Sequence, residues 1–327
     1  MSEQNETVQT LNVNYDHLES VLCNTPGNVA LAERFRALFT LKNIADDRSI
    51  DIIAKALSDE SALLKHELTY CLGQIGNPRA NDILTKVLED TKEDEMVRHE
   101  AAEAMGAIGS LEVIPILEKF LNDSSEAVSE TCVLALDKIR YDNDPKNKEE
   151  KNNNKSVYSS VDPAPPSVTV KSAQELGKQL MDTSLPLFER YRAMFGLREI
   201  GNTEAVEELA KGLKDKSALF RHEVAYVFGQ LQHPASVPAL TETLKDSQEQ
   251  YMVRHEAAEA LGSIATPEVL ETLSKYKSDE ERVVRESCVV ALDMYEYETS
   301  GDFQYANGLE SESQQEKANM HSLKLAQ

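Results

Sequence analysis

The chain has 327 residues, of which 57 are Asp or Glu and 34 are Lys or Arg, so its formal net charge is −23. This acidity excludes binding to nucleic acids or to anionic membrane surfaces, which both need clusters of basic residues, and it favours a cationic partner. The hydrophobic content of 41% is sufficient for a core, whereas 6% aromatic residues and no Trp are unfavourable for a β sandwich.

The first residues, MSEQNETVQTLNVNYDHL, are polar and include no apolar run, so they predict neither a signal peptide nor a membrane anchor. No later stretch approaches the 18 or so uninterrupted apolar residues of a membrane-spanning helix. The four cysteines lie far apart and form no CxxC pair, which is typical of a reducing compartment. We therefore expect a soluble cytoplasmic protein, with the nucleus as the alternative compartment.

The sequence is internally duplicated. Residues 31–137 align with residues 187–293 at a constant shift of 156 positions, without an insertion. MVRHEAAEA begins at Met96 and again at Met252, and LLKHELTYCLGQIG matches LFRHEVAYVFGQLQ at the same shift. The two halves must therefore share one architecture.

Each half contains a shorter repeat. Similar segments recur at intervals of 31, 33 and 30 residues in both halves. They begin at Phe35, His66, His99 and Ser129 in the first half and at Tyr191, His222, His255 and Arg285 in the second. Apolar residues at helical spacing, separated by Gly-containing turns such as GQIGNPR, indicate two short helices per repeat. We predict an all-α fold, an α-solenoid of eight HEAT-like helical hairpins in two pseudo-symmetric halves.

The changes in composition along the chain predict four segments. Residues 1–140 form the N-terminal four-repeat half, and residues 141–186 form a linker that is first Asn/Lys-rich and then Pro-rich. Residues 187–297 form the C-terminal four-repeat half. Residues 298–327 are a polar tail that we expect to be disordered, because it has too few apolar residues to form a core.

Four of the seven histidines occupy equivalent positions in the second and third repeats of the two halves. These four are His66, His99, His222 and His255. The corresponding positions of the outer repeats are Phe35, Ser129, Tyr191 and Arg285. Packing at this position therefore does not require histidine, and we interpret the four histidines as functional.

A glutamate follows each of these histidines. The four glutamates are Glu67, Glu100, Glu223 and Glu256. The fourth repeats also carry a glutamate here, Glu130 and Glu286, although they lack the histidine. Because a carboxylate near a helix N-terminus is favourable, the glutamate on its own could be an ordinary feature of the repeat.

Imidazole and carboxylate groups without a thiolate are typical ligands of Fe, Mn or Zn. Helices of adjacent repeats pack about 8–10 Å apart, so His66 and His99 can converge on one ion, and His222 and His255 on another. The residues four positions after the histidines are Tyr70, Glu103, Tyr226 and Glu259. The HExxH motif of zinc proteases is therefore absent.

Further motifs accompany the four His-Glu pairs. They are LLKHELTY, the two copies of MVRHEAAEA, YSSVDPAPP at 158–166, LFERYRAMF at 187–195 and VVRESCVVALDMYEYE at 283–298. Over roughly residues 30–297 this combination closely resembles the deoxyhypusine hydroxylase family, whose members are HEAT-repeat di-iron monooxygenases.

The resemblance implies an enzyme that hydroxylates the deoxyhypusine side chain, a modified lysine of eukaryotic translation initiation factor 5A, to form hypusine. It implies two Fe(II) ions per chain, O₂ as co-substrate and an external two-electron reductant, and the chain contains no GxGxxG nucleotide-binding motif that could supply the electrons. We expect a monomer, because two pseudo-symmetric halves are sufficient to form one site.

The resemblance also assigns the site residues. It implies His66, His99 and Glu100 as ligands of one iron and His222, His255 and Glu256 as ligands of the other. It places Glu67 and Glu223 on the substrate side, where carboxylates can pair with the amines of a polyamine-like side chain. No catalytic residue beyond the metal centre is implied.

Two other functions compete with this hypothesis. The first is a non-catalytic HEAT-repeat scaffold that binds a basic partner on an acidic face, but a scaffold gives no reason for histidine in the central repeats alone. The second is a bilin lyase, whose HEAT-like repeats are similar, but that family predicts neither the duplicated His-Glu pairs nor YSSVDPAPP.

Overall fold

The computed structural model describes residues 13–153, 156–167 and 171–301, and within these ranges the regular structure consists of 17 α-helices with short 3₁₀ turns and no strand. The first half contains α1 (Tyr15–Leu22), α2 (Leu31–Ile44), α3 (Asp47–Ala56), α4 (Ala62–Ile75), α5 (Asn81–Glu89), α6 (Glu95–Ile108), α7 (Ile114–Lys119) and α8 (Glu126–Asn143), and α9 (Lys148–Asn153) follows it. The second half contains α10 (Ala173–Met181), α11 (Leu187–Ile200), α12 (Thr203–Ala210), α13 (Ala218–Leu231), α14 (Val237–Lys245), α15 (Tyr251–Ile264), α16 (Val269–Tyr276) and α17 (Arg282–Ser300).

Consecutive helices pack in pairs, from α1 with α2 to α7 with α8, and from α10 with α11 to α16 with α17. The predicted all-α architecture of eight hairpins is therefore confirmed. Helix α10 lies inside the segment 141–186 that the composition predicts to be a linker, yet it packs on α11 and α12 and buries Leu176 and Leu180. It is the counterpart of α1. The domain boundaries stay a prediction, and the predicted tail lies outside the described residues from position 302 onward.

The second helices of successive hairpins lie side by side and form the inner layer. They are α2, α4, α6 and α8 in one half and α11, α13, α15 and α17 in the other. Glycine allows the closest approach between them, since a Cβ atom added at Gly73 of α4 would lie 2.7 Å from the Cα atom of Ala104 in α6. This close packing of the inner helices positions the side chains that they share.

Left-handed residues end several inner helices, as the Gly-containing turns predict. Gly76 ends α4 with φ of 70°, and Gly109 ends α6 with φ of 75°. At the equivalent positions of the second half, Gln232 and Ala265 adopt φ of 48° and 52°. The left-handed turn is therefore conserved between the halves even where glutamine or alanine replaces the glycine, which costs some backbone strain.

The two halves contact each other at both of their ends. Helix α17 packs on α2 and α4, and helix α8 packs on α11 and α13, so each half begins where the other ends. At one of these seams the guanidinium of Arg36 donates to the carboxylate of Asp293 at 2.7 Å. The inner helices of both halves consequently face one another. Within the part of the chain that the structure describes, no helix is both long and apolar enough to cross a bilayer.

Candidate metal centre

The four predicted histidines form a single cluster where α4, α6, α13 and α15 face each other. The imidazole centroids of neighbouring rings are 5.1 to 5.8 Å apart, and the shortest of these distances joins His66 of the first half to His255 of the second. All four side chains are buried. The two sets of histidines, 156 residues apart in the sequence, thus contribute to one site.

A cation precedes each histidine in the sequence, and it holds the histidine-bearing helix in place. The four cations are Lys65, Arg98, Arg221 and Arg254, and they pair at 2.5 to 2.7 Å with Glu93, Asp123, Glu249 and Asp279 respectively. Adjacent residues of an α-helix point about 100° apart, so the cation reaches the loop after the next helix while the histidine faces inward. The ion pairs fix the rotation of each helix and with it the direction of each imidazole.

The predicted carboxylates lie against these imidazoles. His66 Nδ1 is 3.2 Å from Glu67 Oε1, and His66 Nε2 is 3.3 Å from Glu100 Oε2. In the second half Glu256 Oε2 is 3.5 Å from His222 Nε2 and 3.6 Å from His255 Nε2. These distances place imidazole nitrogens and carboxylate oxygens close enough to share an ion.

Three groups of side chains each have their ligand atoms within 4.8 Å of one another. They are His222, His255 and Glu256; His66, His99 and His222; and His99, Glu100 and Glu103. The first group is the set expected for one of the two ions. The residues expected for the other ion are divided between the second and third groups, which also bring in His222 and Glu103. The assignment of ligands to individual ions stays a prediction.

Several atoms of the cluster are buried polar groups without a hydrogen-bond partner among the described residues. They include both ring nitrogens of His99, Nδ1 of His222 and of His255, and one carboxylate oxygen each of Glu223 and Glu259. Such groups are costly in a protein interior unless something binds them. A donor set of imidazoles and carboxylates matches divalent iron, manganese or zinc, so the residues present fit a metal centre.

Burial and the charges within the cluster shift the pKa values of its histidines. Burial, and then the neighbouring imidazoles, lower the pKa of His99, His222 and His255 well below 6.5, so these rings stay neutral, as metal ligands must be. Burial also lowers the pKa of His66, but the carboxylates of Glu100 and Glu67 outweigh it and raise that pKa well above 6.5.

Burial likewise destabilises the carboxylates in their charged form. It raises the pKa of Glu256 to about 8, with a further contribution from the negative charge of Glu67. Burial is the largest cause of the raised pKa values of Glu103, Glu223 and Glu259 as well. A cluster with this excess of buried acidic groups is suited to bind a cation.

A cleft of 620 Å³ leads to the cluster. Six of the eight predicted site residues line it, whereas His99 and His255 lie deeper, with 0% of their surface exposed. The six lining residues are His66, Glu67, Glu100, His222, Glu223 and Glu256. One wall is formed by residues 158–163 of the predicted linker. The cleft is therefore a route by which a long side chain can reach the cluster.

Several lining residues were not predicted as part of the site. Tyr70 and Tyr226 are equivalent by the 156-residue shift, and their hydroxyl groups are 3.0 Å apart across the two halves. Glu103 and Glu259, another equivalent pair, also line the cleft. All four follow a site histidine by four residues, a spacing that places them on the same helical face and could have identified them.

Comparison with known proteins agrees with this architecture. A family model described as HEAT repeats matches residues 31–95, 91–149, 173–252 and 221–293. The chain is 57% identical over 287 residues to the deoxyhypusine hydroxylase of Drosophila pseudoobscura pseudoobscura, with 85% of this chain and 91% of that protein covered. It is 51% identical over 290 residues to the deoxyhypusine hydroxylase of Danio rerio, with 89% and 94% covered.

A solved structure extends the comparison to three dimensions. The structure of human deoxyhypusine hydroxylase in complex with glycerol matches with a TM-score of 0.81 and 50% sequence identity, and covers 86% of this chain and 96% of that one. Fold and site together define a HEAT-repeat enzyme with an enclosed centre of histidines and carboxylates. The sequence identity of 50 to 57% to the insect, fish and human proteins identifies the family within this class of enzymes. The chain belongs to the deoxyhypusine hydroxylase family.

Proposed function

We propose that the chain hydroxylates the deoxyhypusine side chain of eukaryotic translation initiation factor 5A to hypusine, with two Fe(II) ions, O₂ and an external two-electron reductant. Membership of the deoxyhypusine hydroxylase family supports the reaction and the substrate. The buried groups of histidines and carboxylates support the metal. We further propose that the protein acts as a monomer, because the two halves of one chain already supply the whole cluster. We propose the cytoplasm or the nucleus as its compartment.

The proposed ligands are those expected from the family resemblance. One iron is held by His66, His99 and Glu100, and the other by His222, His255 and Glu256. The mutual distances of His222, His255 and Glu256 support the second set, and the 3.3 Å between His66 Nε2 and Glu100 Oε2 supports the first. The burial of all six residues supports both sets, as does the neutral state that burial favours at His99, His222 and His255. Iron, when bound, supplies activation of O₂ for insertion of one oxygen atom into a C–H bond.

The side chains around the cluster bind and orient the substrate. Deoxyhypusine carries cationic amines. When the proposed ligands are set aside, Glu67 and Glu223 remain in the cleft together with Glu103, Glu259 and Asp162, and Asp162 is already paired with Arg198. Charge-assisted hydrogen bonds from an amine to Glu67 and Glu223 would hold the target carbon beside the metal centre. Glu67 and Glu223 are buried, and the lower dielectric constant of a protein interior strengthens such pairs. The acidity of the chain, with its net charge of −23, favours approach of a cationic segment.

The convergence of four buried histidines from both halves is the observation that carries this proposal. Its test is elemental analysis of the purified protein together with hydroxylation of deoxyhypusine-containing factor 5A in the presence of O₂ and a reductant. We expect about two irons per chain. His66→Ala and His222→Ala should each lower the iron content and abolish hydroxylation. His17→Ala, outside the cluster, is the control and should change neither. Metal-free protein that still binds its partner at full strength would instead support the scaffold hypothesis.

A further inference from the structure

The two halves are equivalent by sequence, but the substrate that enters their common cleft is not symmetric. A deoxyhypusine side chain is attached to its protein at one end and carries a terminal amine at the other, so a productive site must bind it in one direction. The structural feature that distinguishes the two sides of the cleft is residues 156–167, which we call the strap. In the described part of the chain, no other inter-helix segment of comparable length lines the cleft.

Equivalent glutamines of the two halves hold the strap at adjacent residues. Gln74 of α4 donates to the carbonyl oxygen of Val161 at 3.2 Å and accepts from its N–H at 2.8 Å. Gln230 of α13, the same position 156 residues later, donates to the hydroxyl of Ser160 at 2.9 Å. The strap is therefore bonded to both halves, but it meets each of them through different atoms.

A buried arginine of the second half makes the main attachment. Arg198 is 1% exposed, and its guanidinium donates to Asp162 Oδ2 of the strap and to Gln230 Oε1, both at 2.7 Å. The same guanidinium lies 4.3 Å from the ring centroid of Tyr158, another strap residue. Burial of an arginine is tolerated where its charge is paired, and here the carboxylates of Asp162 and Glu199 lie 2.7 and 3.1 Å from the guanidinium.

The equivalent position of the first half carries a different residue with a different contact. Position 198 corresponds to Lys42, whose ammonium lies 5.4 Å from the ring centroid of Phe39 in its own helix α2. The ion pair with the strap is thus made from the second half. Ser160 completes the arrangement because its hydroxyl donates to the other oxygen of Asp162 at 2.7 Å.

The two substrate-side glutamates also have different surroundings in the two halves. Glu67 Oε1 lies 3.2 Å from His66 Nδ1 and is hydrogen-bonded to it. Glu223 is 3% exposed, lines the cleft, and its Oε1 has no donor among the described residues. An incoming ammonium group would satisfy this buried oxygen, whereas at Glu67 it would have to compete with the imidazole.

We propose that the strap, held by Arg198, makes the pseudo-symmetric cleft one-sided and so sets the direction in which the cationic side chain lies between Glu67 and Glu223. Arg198 is a positioning residue, since it acts through Asp162 and the strap backbone rather than on the substrate. This inference rests on the proposed function, because it takes the cationic side chain as the occupant of the cleft.

The test compares Arg198→Met, which keeps the length of the side chain but not its charge, with the wild type and with Arg198→Lys. We expect Arg198→Met to raise KM for deoxyhypusine-containing factor 5A about tenfold, to leave kcat within about twofold and to retain its iron. The wild type should hydroxylate one carbon with one configuration, and Arg198→Met should give a mixture of hydroxylated isomers by chromatography and mass spectrometry. Arg198→Lys should restore part of the lost affinity.

A matched control separates positioning from stability. Arg34→Met also removes a buried arginine from an ion pair, with Asp59 at 2.5 Å, but on α2 and away from the strap. It should lower Tm and leave KM, iron content and the product distribution unchanged. Calorimetric titration with deoxyhypusine-containing factor 5A gives a second readout that does not depend on turnover, and it should show the same loss of affinity for Arg198→Met alone.

The outcomes distinguish the two proposals. If the wild type neither binds nor hydroxylates deoxyhypusine-containing factor 5A, the proposed function is wrong, and the role of the strap with it. If the wild type does both, and Arg198→Met has the same KM, dissociation constant and single product, the proposed function stands and the strap inference is overturned. A loss of iron in Arg198→Met equal to its loss of substrate binding would also overturn it, because Arg198 would then support the metal cluster instead.

Discussion

Ser61 and Glu286 are 225 residues apart in the sequence, yet the hydroxyl of Ser61 donates to Glu286 Oε2 at 2.6 Å. The same hydroxyl accepts from the N–H of Leu64 and so caps helix α4, which carries His66. The equivalent pair, Ser217 with Glu130, joins the halves at the other seam at 2.5 Å. The glutamates of the fourth repeats, which have no histidine beside them, thus connect each half to the N-terminus of a histidine-bearing helix in the other.

Loss of this contact should loosen both the seam and the metal cluster. Glu286→Ala should lower the free energy of unfolding by about 1–3 kcal/mol, since it removes the partner of a nearly buried hydroxyl. It should also speed loss of bound iron, because the first turn of α4 is less restrained. Urea unfolding and iron release to a chelator measure the two effects.

Glu286 also accepts from Arg282 at 2.7 Å, and that arginine is 49% exposed, so the ion pair between them contributes little. Arg282→Ala is therefore the control, and it should change neither unfolding nor iron release measurably. If Arg282→Ala and Glu286→Ala change the unfolding free energy and the rate of iron release equally, the contact between Glu286 and Ser61 is not the cause of these changes.

The pseudo-symmetric glycines of α4 and α13 should respond differently to alanine. A Cβ atom at Gly73 would lie 2.7 Å from Ala104 Cα, whereas one at Gly229 would lie 3.3 Å from Ala260 Cα. Gly73→Ala should therefore force α4 away from α6, cost about 1–3 kcal/mol of unfolding free energy and weaken iron binding by separating His66 from His99. Urea unfolding and iron titration measure these effects.

Gly229→Ala is the matched variant on the other half. Its smaller clash is offset by the higher helix propensity of alanine, so its stability should stay within about 1 kcal/mol of the wild type. Equal losses in Gly73→Ala and Gly229→Ala would contradict the view that the tighter packing of α4 on α6 positions the histidines.

The repeats and the histidines were predictable because both are local and periodic. The 156-residue shift, the spacing of the anchors and the placement of His66 and His222 can all be read from the order of residues. The duplication also made it plausible that the halves face each other, but their closure depends on long-range contacts such as that of Ser61 with Glu286.

Other features of the site had a weaker signal in the sequence. Tyr70 and Glu103 follow a histidine by four residues, so helical spacing could have placed them in the cleft. The strap had no such signal. Its position depends on Arg198, which lies 36 positions from Asp162, and on Gln74, which lies 87 positions from Val161. A Pro-rich segment reads as a linker unless its partners are known.

The buried ion pair of Arg98 with Asp123 should make the fold sensitive to acid. Both side chains are nearly buried, 2.7 Å apart, and the hydrogen bond from Arg98 lowers the pKa of Asp123. A carboxyl whose folded pKa lies below its unfolded value of about 3.9 stabilises the protein above that value, and loses this contribution as the pH falls through the folded pKa.

Asp123→Asn should therefore be destabilised by about 2–4 kcal/mol at pH 7, and its deficit relative to the wild type should shrink as the pH falls below about 4. Denaturant unfolding of Asp123→Asn and of the wild type at pH 7 and at a pH below about 4 measures this deficit. Asp51→Asn breaks the exposed pair with Arg79, in which both side chains are about half exposed, and should show no measurable deficit at either pH. A deficit of Asp123→Asn that is independent of pH would rule out the ion pair as its cause.

Glu223 and Glu67 should contribute unequally to substrate binding. Glu223 Oε1 is buried without a donor among the described residues, whereas Glu67 is bonded to His66. Glu223→Gln removes the charge that an ammonium group would pair with, so it should weaken binding of deoxyhypusine-containing factor 5A by about tenfold or more and leave the iron content unchanged. Glu67→Gln also disturbs His66, a proposed ligand, and should lower iron content together with substrate binding. Equilibrium binding and elemental analysis on the same preparations decide the matter: iron loss in Glu223→Gln as large as in Glu67→Gln would mean that Glu223 is itself a ligand.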